Sequence, residues 1–500
     1  VLAVVVLIVG VVAWRSGVFG GTGTNASAGP SGLFPDDRGP SLSPSPTPSP
    51  TFAAGPINPK FPGLTTWRGN LTRSYYGEGP VPQNPVIRWR WPSSGGVCGL
   101  SDFGTGSETR CGFAWTGQPN VIPKDGGGYE IRIGAYDHNY HFLDGFTGEP
   151  VRGDVVTGDV AKGSATSDPD GYPLYYGGSR DNLLRVVALD RGQTPEVLWS
   201  LDANTSVSNP VWNDDWDGAP LIVGDYMLEG GENSWFYVIR LHRGYDDAGK
   251  VTVDPKVVAA VPGYDQELLS SLDNDDVSIE SSVAFFDGVA YFVNSGGLVQ
   301  GWDISKILAG GTDAPERVFR FWNGDDSDGT IAIDEEGFLY VPKHNEHDTA
   351  RNSEVGDLIK LDPSKPNDPL VWSVDVNFGS TQHEGGIWST PALYGKYVYV
   401  TTTYGEVIAI NRATGLVRWK MKLNDSHTWG SPNIVDDTLI VGDCSGVLHA
   451  WDISTPGKKP PELWNLSLDG TCIEATPAVY DGWIWAGTRG GALYGISDPA

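Results

Sequence analysis

Thiols are scarce in this chain. Four cysteines stand among 500 residues and none forms a Cys-x-x-Cys, so a c-type haem attachment or a thiolate zinc site is not expected. Positive charge is short as well. Against 62 Asp+Glu there are 34 Lys+Arg, a net charge of −28. That balance repels phosphate backbones and anionic headgroups, and it excludes nucleic acid as the natural partner. Long apolar runs are missing apart from residues 1–13, which then meet Trp14-Arg15.

Thirteen residues fall short of the roughly 20 that cross a bilayer as a helix. The sequence opens on Val rather than Met, which leaves room for more of this segment upstream, and Trp14-Arg15 reads as an interfacial end. The expectation is an N-terminal apolar helix over 1–14 that anchors the protein in the cell membrane by a single pass, with the bulk outside the cytoplasm. The alternative is a signal-peptide core and a secreted product, although the small-x-small pattern Ala26-Ser27-Ala28 lies far from the apolar run. Residues 15–62 are rich in Gly, Ser and Pro and centre on Ser43-Pro44-Ser45-Pro46-Thr47-Pro48-Ser49-Pro50. Such a segment buries no core and reads as a disordered, extended linker or stalk. An even number of cysteines in an exported chain suggests two disulfides.

The remainder, 63–500, is abundant in Gly and Trp, of which the whole chain has 66 and 19, as a turn-rich β protein is. Turn pairs recur at Asp125, Asp170, Asp217, Asp287, Glu336, Gly395, Asp436 and Asp481, 41 to 70 residues apart. Several short strands per unit at a period in the 40s mark a radial β-propeller. The clearest unit runs Ser389–Leu393, Tyr397–Thr401, Val407–Asn411 and Leu416–Lys420, β-branched and aromatic residues alternating between Gly-bearing turns. The last unit lacks its fourth strand. Because an open edge invites aggregation, Pro85–Trp91, which matches Leu416–Lys420, is expected to complete it. The fold expected is all-β: eight four-stranded antiparallel blades closed by an N-terminal strand.

Thr390-Pro391, Ser431-Pro432 and Thr476-Pro477, the Ala450-Trp451-Asp452 and Ala413-Thr414-Gly415 segments, and Trp419 and Trp464 resemble the PQQ-type repeat. Trp67-Arg68-Gly69-Asn70 resembles the leader found before several such propellers. WD40 repeats are a weaker likeness, carried by Gly301-Trp302-Asp303 and Trp451-Asp452. The resemblance implies one of two functions. One is a non-catalytic module that binds or scaffolds a protein or cell-envelope component, as in the outer-membrane assembly factor type, with no cofactor expected. The other is a quinoprotein dehydrogenase that oxidises alcohols or sugars with PQQ and calcium. The adjacent Cys-Cys pair of many such enzymes is absent, and Glu280 has no Asn-x-Asp companion, so the first reading is preferred and no catalytic residue is assigned. A polysaccharide-acting enzyme using Glu280 and Glu474 is a third, lesser reading.

In an antiparallel blade the D–A crossovers and B–C turns share one face. That placement gathers candidate ligand-binding residues at one mouth: His138, Arg180, Glu280, His344, His383, Trp388, His427, Trp429, Glu474 and Arg489. Imidazoles, carboxylates and indoles together suit a ligand or metal. Each of these residues could equally brace neighbouring blades. Asp275, Asp276 and Glu280 are the candidates for a cation site. The acidic runs 213–218 and 167–171 imitate an EF-hand loop but place Gly224 and Gly177 where Glu should stand, and both are assigned to A–B turns. The same geometry places Cys444 and Cys472 on one face of adjacent blades, and Cys98 and Cys111 around the crossover into blade one; each pair is expected to form a disulfide near the seam.

Overall fold

The computed structural model describes residues 55–102, 106–113, 117–347, 349–376, 385–423 and 427–499. Segments 1–14 and 15–54, and with them the expected anchor and most of the linker, lie outside the described residues. Among the described residues no helix is long and apolar enough to cross a membrane.

Eight four-stranded antiparallel blades follow one another along the chain, each pairing its strands in the order A-B-C-D. Blade six shows why the sequence folds this way. Its strands are Ala392–Tyr394, Tyr397–Thr402, Glu406–Asn411 and Val417–Lys422, and Val398, Val400, Ile408 and Ile410 are all fully buried. Gly415 adopts φ +71°, and a Cβ there would come within 2.9 Å of the Trp372 ring. The Thr-Gly turn between strands C and D is thus a seat for the strand-D tryptophan of the preceding blade. Trp372 Nε1 also donates to the Arg412 carbonyl beside it (3.0 Å). In seven blades the C–D pairing carries a register shift, the kind of bulge that sharpens strand twist. Core clusters lie between blades: one joins Tyr399, Val407 and Trp419 of blade six to Leu439, Val441 and Trp451 of blade seven.

The ring closes as the missing fourth strand required. Val86–Trp91 pairs antiparallel with Leu493–Ser497, from Val86↔Ser497 to Trp91↔Leu493. The opposite edge of the same blade receives Gly77–Glu78 in parallel against Val479 and Tyr480, so one N-terminal segment flanks blade eight on both sides.

Between Leu64 and Glu78 the leader reaches every blade or its entry. Leu64 bridges Val121, and the N–H groups of Ser167, Phe285 and Ile333 donate to the carbonyls of Thr65, Leu71 and Thr72 (2.7–3.0 Å). Arg68 sends Nη1 to the Pro432 carbonyl (2.8 Å) and Nη2 to that of Pro391 (3.3 Å). Arg73 donates to the carbonyls of Val283 (2.8 Å) and Ala219 (3.1 Å). Both arginines are fully buried and both are left-handed, at φ +53° and +58°. Gly69 between them has φ +69°, and a Cβ would sit 2.4 Å from the Tyr75 carbonyl; only glycine lets the leader fold back so tightly.

The Ser/Thr-Pro openings gain a physical reason. The N–H of Thr330 donates to Thr390 Oγ1, that of Thr390 to Ser431 Oγ, and that of Ser431 to Thr476 Oγ1 (2.9–3.0 Å); the Thr476 N–H returns to the Gly117 carbonyl at blade one (2.8 Å). Each hydroxyl satisfies a buried backbone donor of the blade before it.

One assignment is corrected. Asn213–Gly218 is not an A–B turn: strand A of blade three is Leu221–Val223 and strand B begins at Tyr226, so the acidic run lies in the crossover before strand A. The Asp170-Gly171 pair does join strands A and B of blade two. Ordered contacts also begin earlier than residue 63, with Asn58 Nδ2 donating to Asp170 Oδ1 (2.9 Å).

Candidate functional site

The crossovers into blades three, four and five deliver three carboxylates, Asp217, Glu280 and Asp328, to one small cavity whose walls include Trp388 and the leader's Trp67. Its volume is about 10 Å³, room for one water-sized occupant. Lys162 is the cation that reaches in: Nζ lies 2.5 Å from Asp217, 3.3 Å from Glu232 and 3.7 Å from Asp215. Arg180 pairs with Asp215 at 2.5 Å from the other side. Two cations thus pair with three acids; Glu280 instead accepts from Ser278 Oγ (3.3 Å), and Asp328 lies 4.0 Å from His344 Nε2.

The electrostatics follow from that count. Burial, and then Asp328, push the Glu280 carboxyl well up. Burial with Glu346 and Asp276 nearby raises Asp328 to about 8. Burial raises Asp215 to about 6 in spite of Lys162. Burial alone would strip Lys162 of its proton, but Asp217, Glu232 and Asp215 outweigh it and hold the ammonium well above its ordinary range.

Beside the cavity runs an aromatic ladder. His344 packs on Trp388 (4.5 Å between ring centres), Trp388 stacks on Trp429 (5.3 Å, 13°), and Trp429 stacks on the exposed His427 (4.9 Å, 10°). The structure therefore brings together Glu280, His344, Trp388, Trp429 and His427. It holds others apart. His138 Nε2 lies 3.1 Å from the Leu100 carbonyl on the Cys98–Cys111 hairpin, whose strands pair Cys98 with Cys111. Glu474 and Arg489 face each other at 3.5 Å, and Arg489 covers the Tyr136 ring. Burial lifts Glu474 to about 7 although Arg489 pulls it down. His383 lies outside the described residues. Asp275 is exposed, while Asp276 is buried in a second acidic group with Asp326 and His347.

Lys162, Asp326, Asp328, Glu346 and His347 were not singled out by sequence, and Asp217 was read only as a turn residue. Asp325-Asp326-Ser327-Asp328 precedes strand A of blade five as Asp276 and Glu280 precede that of blade four, so the crossover rule applied once more finds them. Both disulfides are present: Cys98–Cys111 and Cys444–Cys472, with Cα separations of 4.0 and 3.5 Å.

Residues 355–497 match the protein family described as outer membrane protein assembly factor BamB. Curated relatives with that name include one from Shewanella oneidensis, 27% identical over 105 residues, and one from Kangiella koreensis, 32% identical over 106. Each match covers 21% of this chain and 26% of the relative, so the chain spans about a quarter of the length of the curated relatives it matches. BamB from Moraxella catarrhalis superposes with a TM-score of 0.52 at 16% identity, over 77% of this chain and 96% of that one. The computationally designed Ika8 protein does so with 0.52 at 14%, over 81% and 98%. At such identities the structural likeness establishes the fold. The chain is a β-propeller of PQQ-like repeats.

The quinone for which these repeats are named does not fit this mouth. PQQ is a tricyclic tricarboxylate, and the cavity is lined by carboxylates with room for one water. Small-molecule sites run to roughly 300 Å³ and more.

Proposed function

We propose that this protein is a non-catalytic scaffold that docks a protein or cell-envelope component on the mouth face of its propeller. In this reading residues 1–14 anchor it in the membrane, 15–62 form the stalk, and the ring over 63–500 works outside the cytoplasm. The observation that carries the proposal is the leader. Trp67 lines the mouth cavity, and Arg68 and Arg73 are buried among carbonyls at the entries of blades three, four, six and seven. What remains open is the outer end of the aromatic ladder, half-buried Trp429 and exposed His427, stacked over the buried Trp388. Stacked aromatics with charged neighbours are the composition of binding hot spots. Two disulfides suit an oxidising compartment, and the relatives named as assembly factors agree in kind.

The test is site-specific photo-cross-linking in the source cells, with the reactive group at position 427 on the mouth or at 396 in an A–B turn on the opposite face. The reading expects an envelope-fraction adduct from 427 and none from 396. PQQ- and calcium-dependent dye-linked oxidation of alcohols or sugars by the purified chain would overturn it.

A further inference from the structure

A second group of ligating side chains stands beside the cavity. Asp276, Asp326 and His347 hold their ligand atoms within 4.8 Å of one another, and so do Asp326, His344 and Glu346. Asp326 belongs to both sets. Asp276 and Asp326 are buried, at 6% and 3% exposure, and His344 is completely enclosed.

Three features separate this locus from a mere gathering of acids. His347 Nε2 lies 3.0 Å from the Ser295 carbonyl. A ring nitrogen facing a carbonyl carries the proton, which leaves the lone pair on Nδ1; this is the outer-shell bond that orients ligating histidines. Next, His344 Nε2 sits 3.4 Å from Glu346 and 3.6 Å from Asp326. The first is a hydrogen bond near the outer limit of length and the second is longer still. They match two ligand atoms that share a tetrahedral ion about 2.0–2.1 Å from each, which stand roughly 3.4 Å apart. Last, His344 Nδ1 has no hydrogen-bond partner among the described residues although the side chain is fully buried. The Asp276 carboxylate is itself oriented by Ser278 Oγ, which donates to Oδ1 (3.2 Å).

We propose that this locus binds one divalent cation of zinc type, with Asp276, Asp326 and His347 as ligands and with His344 and Glu346 reaching the same Asp326. Mixed imidazole and carboxylate donors suit a borderline ion such as zinc; calcium, which takes six to eight oxygens, suits them poorly. The site is independent of the docking reading, since the ion would fix the crossover into blade five whatever binds the mouth.

The experiment is calorimetric titration of the full, chelator-treated chain with zinc chloride and separately with calcium chloride. The expected result is one zinc per chain and no saturable calcium heat. Asp326→Asn and His347→Ala should each weaken zinc at least tenfold, and His242→Ala, an exposed histidine elsewhere, should leave it unchanged. Circular dichroism checks that each variant is folded. Should either fail to fold, cobalt substitution of the unaltered protein decides, through the intense visible bands of a four-coordinate ion. Absence of zinc binding by the folded chain, binding that survives both substitutions, or cobalt spectra of the hexaaquo type would each overturn the proposal.

Discussion

Trp89 and Trp485 share one acceptor: both indole N–H groups donate to the Gly145 carbonyl at 3.0 Å. One tryptophan comes from the closing strand and the other from strand B of the same blade, and the carbonyl belongs to blade one. Two indoles of blade eight thus converge on one peptide of blade one. Trp89→Ala removes a buried indole and one of the two bonds, and should cost about 3–5 kcal/mol. Denaturant unfolding of the purified chain checks this; a loss under about 1 kcal/mol would show that the seam is held elsewhere.

Arg68→Ala should destabilise by about 3–5 kcal/mol, since a large, fully buried side chain is lost and buried acceptors are left unpaired. It would strand the carbonyls of Pro432 and Pro391, which Arg68 joins across two blade entries. Arg68→Lys should recover little, since an ammonium has no planar fork to span both. Thermal unfolding of the three proteins side by side distinguishes these outcomes.

His141 gives the molecule a pH dependence that can be read in stability. Burial disfavours its charged form, but the carboxylates of Asp137 (3.0 Å) and Asp154 (3.1 Å), one beside each ring nitrogen, prevail and raise it from 6.5 to about 9. The ring also lies 4.5 Å from that of Trp91 in the closing strand. A folded-state pKa above the unfolded one means that the stabilisation is whole below pH 6.5 and is lost as pH climbs through 9. Unfolding free energy should fall by about 3 kcal/mol over that window. His141→Asn should flatten the slope; an unchanged slope would exclude His141 as its source.

Cys444→Ser opens a loop closed across 28 residues and should cost about 2–4 kcal/mol. Cys98→Ser opens one across 13 residues and should cost less, because shorter loops restrain the unfolded chain less. Paired melting curves with and without reductant test both.

The blades were legible because their signals are local. Thr390-Pro391, Gly415 and Trp419 lie within one unit, and the closing strand announced itself because Trp89 sits at the same place in its strand as Trp419. Asp217-Gly218 misled for the same reason. As a dipeptide it reads as a turn, and only the position of Leu221–Val223 shows that it is a crossover. The mouth was legible in part. The crossover rule placed Glu280, His344, Trp388, Trp429 and His427 on one face, yet it had no means of knowing that the Cys98–Cys111 hairpin draws His138 aside. Nor could it know that Arg68, 364 residues before its acceptor, fills the ring. Contacts of that span leave no period in a sequence.

That span also orders events in time. The leader's strands must lie against Val479, Tyr480 and Leu493–Ser497, and Tyr480 stands 402 residues beyond the Glu78 carboxylate it meets. Until that pairing forms, blade eight lacks its fourth strand. Pairings so distant along the chain are slow to form, so closure of the ring is expected to follow the folding of the separate blades.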